Sequence, residues 1–420
     1  MKKEKKTIWL VCVNVQPPEI DTHLRHQKFA DALIEHGYNV IIFSGSYLHY
    51  NKKNLITDSK KYLEQQYGER RYVFLKIPSY ASNGLKRMFA TFVFAWRLFR
   101  NRKHFLKPDL IIHNLRVPFD FPVYFAAKKL KAKYITEVWD LWPESFVAFG
   151  LMKKNNPFLK LAYHVEKFLY EKADRIIFTL EGAKDYIIEK GWNTEKGGKI
   201  DLSKYAYINN GVDLKDFDYN KEHYQIQDKD LDDDSYFKVI YLGSIRLVNN
   251  VRLLIEAAHL LISEKKIKFL IYGDGCDREE LEYYCLANNL TNVVFKEKWV
   301  EIKYVPYILS RSSLNILNYK RNDIDRYGGS QGKLFQYMAS GKPICSNQVM
   351  GYDPILKYGI GIAETFDSSE KYAEAIKNIY NMPKEKYDQM AARARDAAAN
   401  YDYAVLARKY CAIVEDVLAS

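Results

Sequence analysis

Short apolar runs recur along the chain, and each is followed by a stretch whose apolar positions fall at helical spacing. IWLVCV, expected as a buried strand over Ile8 to Val13, leads to HLRHQKFADALIEHG, where Phe29 and Leu33 share a face and Gly37 can stop the helix. YNVIIF, YVFLKI, DLIIH, KYITEV, RIIFT and YAYI follow, with helical stretches between most of them. Runs apolar on both faces that alternate with helices predict a parallel sheet covered on both sides. A polar, acidic interruption over 219–236, YNKEHYQIQDKDLDDDSY, reads as an interdomain segment or surface excursion. The pattern then restarts. FKVIYL is followed by VRLLIEAAHLL as helix, KFLIYG as strand, CDREELEYYCLANN as helix, and NVVF, LNIL, KPICS and IGIAE as strands. Two consecutive α/β sheets are predicted, with the ligand expected in the crevice between them, at the carboxyl ends of the strands. The tail, 384–420, is helical by composition, and Val405, Tyr410, Ile413 and Val417 are spaced to form an apolar stripe.

Composition agrees with this outline and narrows the chemistry. A chain of 420 residues exceeds one ordinary core, and 48% hydrophobic residues with 34 tyrosines leave little room for disorder. A net charge of +12 fits a nucleic acid, an anionic membrane surface or a phosphorylated substrate, and equally a solvated surface rich in lysine. Five cysteines without a CxxC pair suggest neither a zinc site nor a disulfide framework, so a reducing, cytoplasmic setting is expected. The opening MKKEKKTIWLVCVNV is basic and then apolar, but its apolar run is short and lacks a small-residue cleavage site, so it reads as a strand. No run approaches the roughly 18 apolar residues of a membrane span.

The stretch over 83–107, NGLKRMFATFVFAWRLFRNRKHFLK, has seven basic residues, no acidic one and the apolar set Phe89, Phe92, Val93, Trp96 and Phe99. It suits an amphipathic helix lying in an anionic membrane interface at the inner face of the cell membrane. It equally suits a domain helix with its apolar face on the sheet and a basic rim. Nucleic-acid binding is not expected, because no aromatic-basic strand face or groove helix appears.

The densest chemistry lies in GGSQGKLFQYMASGKPICS, 328–346. Gly328, Gly329 and Gly332 let backbone amides approach a ligand, and a helix starting near Gly332 offers unpaired N–H groups with partial positive charge. Lys333 adds a full charge at that entrance, so a diphosphate is the expected guest.

This stretch resembles the donor-site segment of glycosyltransferase family 4, retaining enzymes with the two-domain GT-B fold. YINNGVDLKDF (207–217), VIYLGSIRLVNN (239–250) and LIYGDGCDREELE (270–282) resemble that family's interdomain signature, first strand and loop of the C-terminal domain, and glycine turn. EVWDLWPES (137–145) resembles a segment of bacterial members that build surface polysaccharides. The resemblance implies an N-terminal acceptor-side domain over 1–215, a donor-binding domain over 216–400, both Rossmann-like, and a 401–420 helix packing back on the first domain. It implies transfer of a sugar from a nucleotide donor, UDP-linked by commonest usage, to a hydroxyl of a lipid-linked or growing surface glycan, with no cofactor or metal.

The family carries two glutamates with seven residues between them in the donor segment. Here Gly328 and Gln336 stand in their places, so Gln336 is expected on the ribose and sugar contacts fall to Gly329, Ser330, Gln331 and the Gly332–Lys333–Leu334 helix entrance. Arg246 and Lys333 are assigned to the leaving diphosphate, Gly243 to the loop before Arg246, Gly273 and Gly275 to the turn behind the base, and Glu301 to the base pocket. In the first domain VQPPEIDTHLRH contains no glycine, so Arg25 and His26 are expected to supply the contact instead. Asp140 and Glu144 are expected near the acceptor, as base or helix cap. His113 is a further candidate there. The missing glutamates also leave room for a non-catalytic GT-B subunit supporting a partner enzyme.

Overall fold

The computed structural model describes residues 5–20, 24–49, 51–82 and 84–420. The start of the basic opening segment (Met1 to Glu4), Asp21–His23 of the glycine-free loop and Asn83 at the head of the basic stretch lie outside the described residues. The chain separates into two compact units. One runs to Asn209 and takes in Leu406–Ser420, and the other is Asn210–Val405.

The first unit contains β1 (Thr7–Val11), β2 (Asn39–Gly45), a short hairpin of β3 (Tyr47–Leu48) and β4 (Lys53–Asn54), β5 (Tyr62–Tyr67), β6 (Arg70–Leu75), β7 (Leu110–Asn114), β8 (Lys133–Val138), β9 (Arg175–Phe178) and β10 (Tyr205–Tyr207). Its main sheet has the order β10-β9-β8-β7-β1-β2-β6-β5. Central β1 is flanked in parallel by β2 and β7, with Ile8 level with Val40 and Leu110, and all five of its residues are buried. The exception to the parallel pattern is β5, which runs antiparallel to β6. YLEQQY was not expected as a strand because it is polar; it sits at the sheet edge, where one side stays in water.

The last helix, Tyr403–Ala419, joins this unit through Leu406 onward. Tyr410 stacks on Phe29 at 4.3 Å, and Asp416 pairs with Arg175. Its buried stripe is Leu406, Tyr410, Val414 and Val417; Val405 and Ile413 of the expected stripe are only part-buried. The helix turns about one position from the register that composition suggested.

The second unit holds β11 (Phe237–Leu242), β12 (Ile267–Tyr272), β13 (Val293–Phe295), β14 (Leu314–Leu317), β15 (Ile344–Ser346) and β16 (Gly361–Ala363). These form an all-parallel sheet in the order β13-β12-β11-β14-β15-β16. Strand order reverses direction about β11 and β14, the crevice position where open α/β sheets bind ligands.

The acidic 219–236 segment is part of this unit and not a loose connector. It forms the helices Leu214–His223 and Lys229–Asp232, with Leu231 fully buried. Lys296 reaches Asp228 at 2.7 Å and Asp230 at 2.6 Å, and Lys268 reaches Asp230 at 2.7 Å. The aspartates that looked like solvated surface are counter-ions for lysines on and beside β12 and β13.

Candidate functional site

At the carboxyl end of β11 the chain turns at Gly243 (φ +154°) into a loop that carries Arg246. Ser244 Oγ bonds Asn249 Oδ1 at 2.9 Å, and the Tyr241 hydroxyl donates to the Ser244 carbonyl at 2.6 Å, which fixes the loop from below. The neighbouring turn after β12 lies against it: Ile245 N–H donates to the Asp274 carbonyl at 2.8 Å. A Cβ on Gly273 or Gly275 would run into the carbonyls of Gly243 or Ile245. The two turn glycines are therefore required by loop-on-loop packing, whatever they do for a base.

The third loop approaches from β14. Gly328 takes φ +101°, and Gly329 packs so closely against Met350 Sδ and the Gln331 side chain that a Cβ there would push both aside. Asn210 Nδ2 donates to both the carbonyl and the hydroxyl of Ser330 at 2.9 Å, holding the loop in place. The helix then runs Gly332–Ala339, and Gln331 at its N-cap makes no side-chain capping bond. Its first N–H groups remain available to an anion. Leu334, Phe335, Tyr337 and Met338 are buried, and the Tyr337 hydroxyl donates to the Leu242 carbonyl at 3.2 Å, so the helix is pinned to the end of β11.

Lys333 is the side chain these pieces converge on. Its Nζ is buried and has no hydrogen-bond partner among the described residues. It lies 4.9 Å from the Tyr241 ring centroid and 5.3 Å from that of Tyr319. A Cβ on Gly243 would come within 2.7 Å of Nζ, so glycine there leaves the amine its space. Burial pulls the amine down to about 8. An ammonium without a counter-ion is expensive to bury, and two tyrosine faces offset only part of that cost. The buried Oε1 of Gln331 also lacks a partner. Tyr241 and Tyr319 were missed in the sequence, although each sits at or just past the end of an apolar run.

The other donor-side candidates are exposed or half-buried. Arg246 is exposed, and its side chain makes no hydrogen bond or ion pair among the described residues. Gln336 is half-buried on the same helix as Lys333. Glu301 is exposed and pairs with Lys303 at 2.8 Å.

In the first unit, Arg25 and His26 are corrected. Arg25 is 2% exposed and its guanidinium meets Glu137 at 2.8 Å and the carbonyls of Ile208 and Asn209. Its charge is already neutralised inside the protein. His26 is buried with its ring 4.9 Å from that of Trp139. His113 is likewise a core group, between Tyr134 Oη at 2.8 Å and Asp120 at 3.0 Å. Glu144, the first residue of a short helix, accepts from Tyr163 Oη at 2.6 Å and Lys190 at 2.5 Å. Burial is the largest single influence and raises its pKa, but the two hydrogen bonds together with the charges of Lys190 and Lys154 outweigh it, for a net decrease. Asp140 alone of this group is exposed, 3.3 Å from Arg116 at the carboxyl end of β8.

Two family models match: Glycosyltransferase Family 4 over residues 27–216 and Glycosyl transferases group 1 over 224–397. Among characterised proteins, an alpha-D-kanosaminyltransferase of Streptomyces kanamyceticus is 23% identical over 61% of this chain, which spans 64% of that enzyme's length. Among solved structures, trehalose 6-phosphate synthase of Burkholderia multivorans superposes with a TM-score of 0.73 at 12% identity, covering 99% of each chain. Sucrose-phosphate synthase of Thermosynechococcus elongatus gives 0.70 at 15% identity, covering 99% of this chain and 100% of that one. Anabaena HepE in complex with UDP gives 0.67 at 12% identity, covering 98% and 100%. With a Glycosyltransferase Family 4 model on the first half and a Glycosyl transferases group 1 model on the second, the chain carries both halves of a glycosyltransferase of GT-B fold.

Proposed function

We propose that this protein moves a glycosyl residue from a nucleoside diphosphate sugar, UDP-linked, to a hydroxyl of a lipid-linked or growing glycan, with retention at the anomeric carbon. The observation that carries the proposal is Lys333 Nζ, buried without a partner at the uncapped start of the 332–339 helix. A bound diphosphate supplies the missing anion. As the bond between the anomeric carbon and the phosphate oxygen breaks, negative charge grows on that oxygen, and Lys333, Arg246 and the helix N–H groups stabilise it. The acceptor oxygen then bonds the same face of the anomeric carbon, and its proton passes to the departing phosphate. Asp140 is assigned to orient the acceptor hydroxyl. With two cations, Lys333 and Arg246, on the diphosphate, this scheme uses no divalent metal. Support for a uridine nucleotide comes from the UDP held by Anabaena HepE.

A second reading, a non-catalytic nucleotide- or glycan-binding subunit, is favoured by one observation: Gly328 and Gln336 stand where carboxylates are expected. Thermal-shift screening of the full chain against nucleotides and nucleotide sugars tests both. A nucleoside diphosphate sugar is expected to raise the melting temperature by mass action, and slow release of free sugar from that ligand marks an enzyme. Binding without release supports the second reading in its nucleotide-binding form; no binding by any nucleotide sinks the transfer reading and leaves only a glycan-binding subunit.

A further inference from the structure

The helix Leu85–Asn101 is apolar on two opposite faces. Ala90, Phe94, Ala95 and Leu98 are buried. Leu85, Phe89, Phe92 and Trp96, spaced by four, three and four residues, form a row along the other side. Leu85 is 83% exposed, Phe89 58% and Trp96 45%. Of the apolar set that the sequence offered to the sheet, Phe89 and Trp96 face outward, and Phe92, Val93 and Phe99 are only part-buried. The row continues across a neighbouring helix, Pro122–Leu130: Phe92 lies 6.4 Å from Phe121, and Phe121 lies 6.1 Å from Phe125, itself exposed. An outward aromatic surface of this extent marks a contact.

Charge identifies the occupant. Lys86, Arg100, Lys103 and Lys107 are exposed beside the row, and no Asp or Glu occurs from Gly84 to Pro108. Lys128, Lys129 and Lys131 add exposed positive charge at the end of the second helix, where Phe121 to Thr136 is also free of Asp and Glu. A second copy of this face would meet like charge. A straight, outward-standing row of Leu, Phe and Trp with basic residues at its edge matches the boundary between headgroups and acyl chains, where rings are buried while amines meet phosphates. No helix among the described residues is long and apolar enough to cross a membrane, so contact is from the surface. We propose that this face docks the protein on an anionic lipid bilayer. The proposal does not depend on the transfer reaction.

Flotation of the full chain with vesicles tests it, using phosphatidylcholine alone and phosphatidylcholine mixed with phosphatidylglycerol. The protein is expected to float with the mixed vesicles, less so as salt rises. Phe89→Glu with Trp96→Glu lowers partitioning about a hundredfold, and Lys86→Glu with Lys103→Glu lowers it about thirtyfold or more. Leu286→Glu, at a 75% exposed position of the second unit, leaves it unchanged. Melting curves establish that the variants fold. For the unmutated chain, acyl-brominated phosphatidylglycerol should quench tryptophan fluorescence, and Trp96→Phe should remove most of that quenching. Failure to bind mixed vesicles, undiminished binding by the Phe89/Trp96 variant, or self-association or capture of a soluble protein through this face in place of vesicle binding overturns the proposal.

Discussion

Replacing Lys333 by methionine separates what the site does for the fold from what it does for a ligand. Burial takes the amine from its ordinary 10.5 to about 8. At about 1.4 kcal/mol for each tenfold loss of proton affinity, the protonated, empty site costs roughly 3 kcal/mol. The sign follows from proton counting. Below about 8 both folded and unfolded chains carry the proton and the penalty is fully present. Between about 8 and 10.5 the unfolded chain holds the extra proton, so raising the pH favours the folded state and relieves the penalty. Lys333→Met is therefore expected to be more stable than the parent in urea unfolding at pH 7, by up to roughly 3 kcal/mol, with the gain fading between pH 8 and 10.5. In the same preparation nucleoside diphosphate affinity should fall about a hundredfold, because a charge-assisted contact in a water-poor site is lost. A variant that is less stable at pH 7, or that binds UDP as tightly as the parent, refutes the picture of a lysine waiting for an anion.

Arg246→Ala should leave unfolding within about 0.5 kcal/mol of the parent, since the side chain is exposed and unbonded, while steady-state turnover falls about a hundredfold or more. Arg25→Met should do the reverse: stranding Glu137 in the core costs about 3–5 kcal/mol by urea titration, and nucleotide affinity of the folded fraction stays as it was. Gly243→Ala puts a methyl at φ +154° within 2.7 Å of Lys333 Nζ, and titration calorimetry should register about a tenfold weaker diphosphate. Gln336→Glu offers a ribose hydroxyl a charged acceptor, so UDP binding should tighten about fivefold; weaker binding would place Gln336 off the ribose.

The sequence by itself determined the order of elements, the two sheets and the position of the glycine-lysine entrance, because each is encoded locally. A buried parallel strand needs an unbroken apolar run such as IWLVCV, and a helix starting against an anion needs backbone freedom and a nearby cation. It also carried the family resemblance, which covers the same segments. Interactions between distant residues were not legible. Arg25 looked free at a helix start, but its partner Glu137 lies 112 residues away, and only the sheet brings β8 beside that helix. The aspartates of 219–236 looked like solvated surface until Lys268 and Lys296 arrived from β12 and just beyond β13. Along 85–101 the sequence offered Phe89, Phe92, Val93, Trp96 and Phe99 to a sheet or a membrane, and only the structure showed that Ala90, Phe94, Ala95 and Leu98 are the buried ones. Nor could any local pattern reveal that Lys333 ends among Tyr241, Tyr319 and Gly243 with no acceptor in reach. Local patterns fix which residues form a strand or helix, but burial and pairing are properties of surfaces that meet only once the sheets have formed.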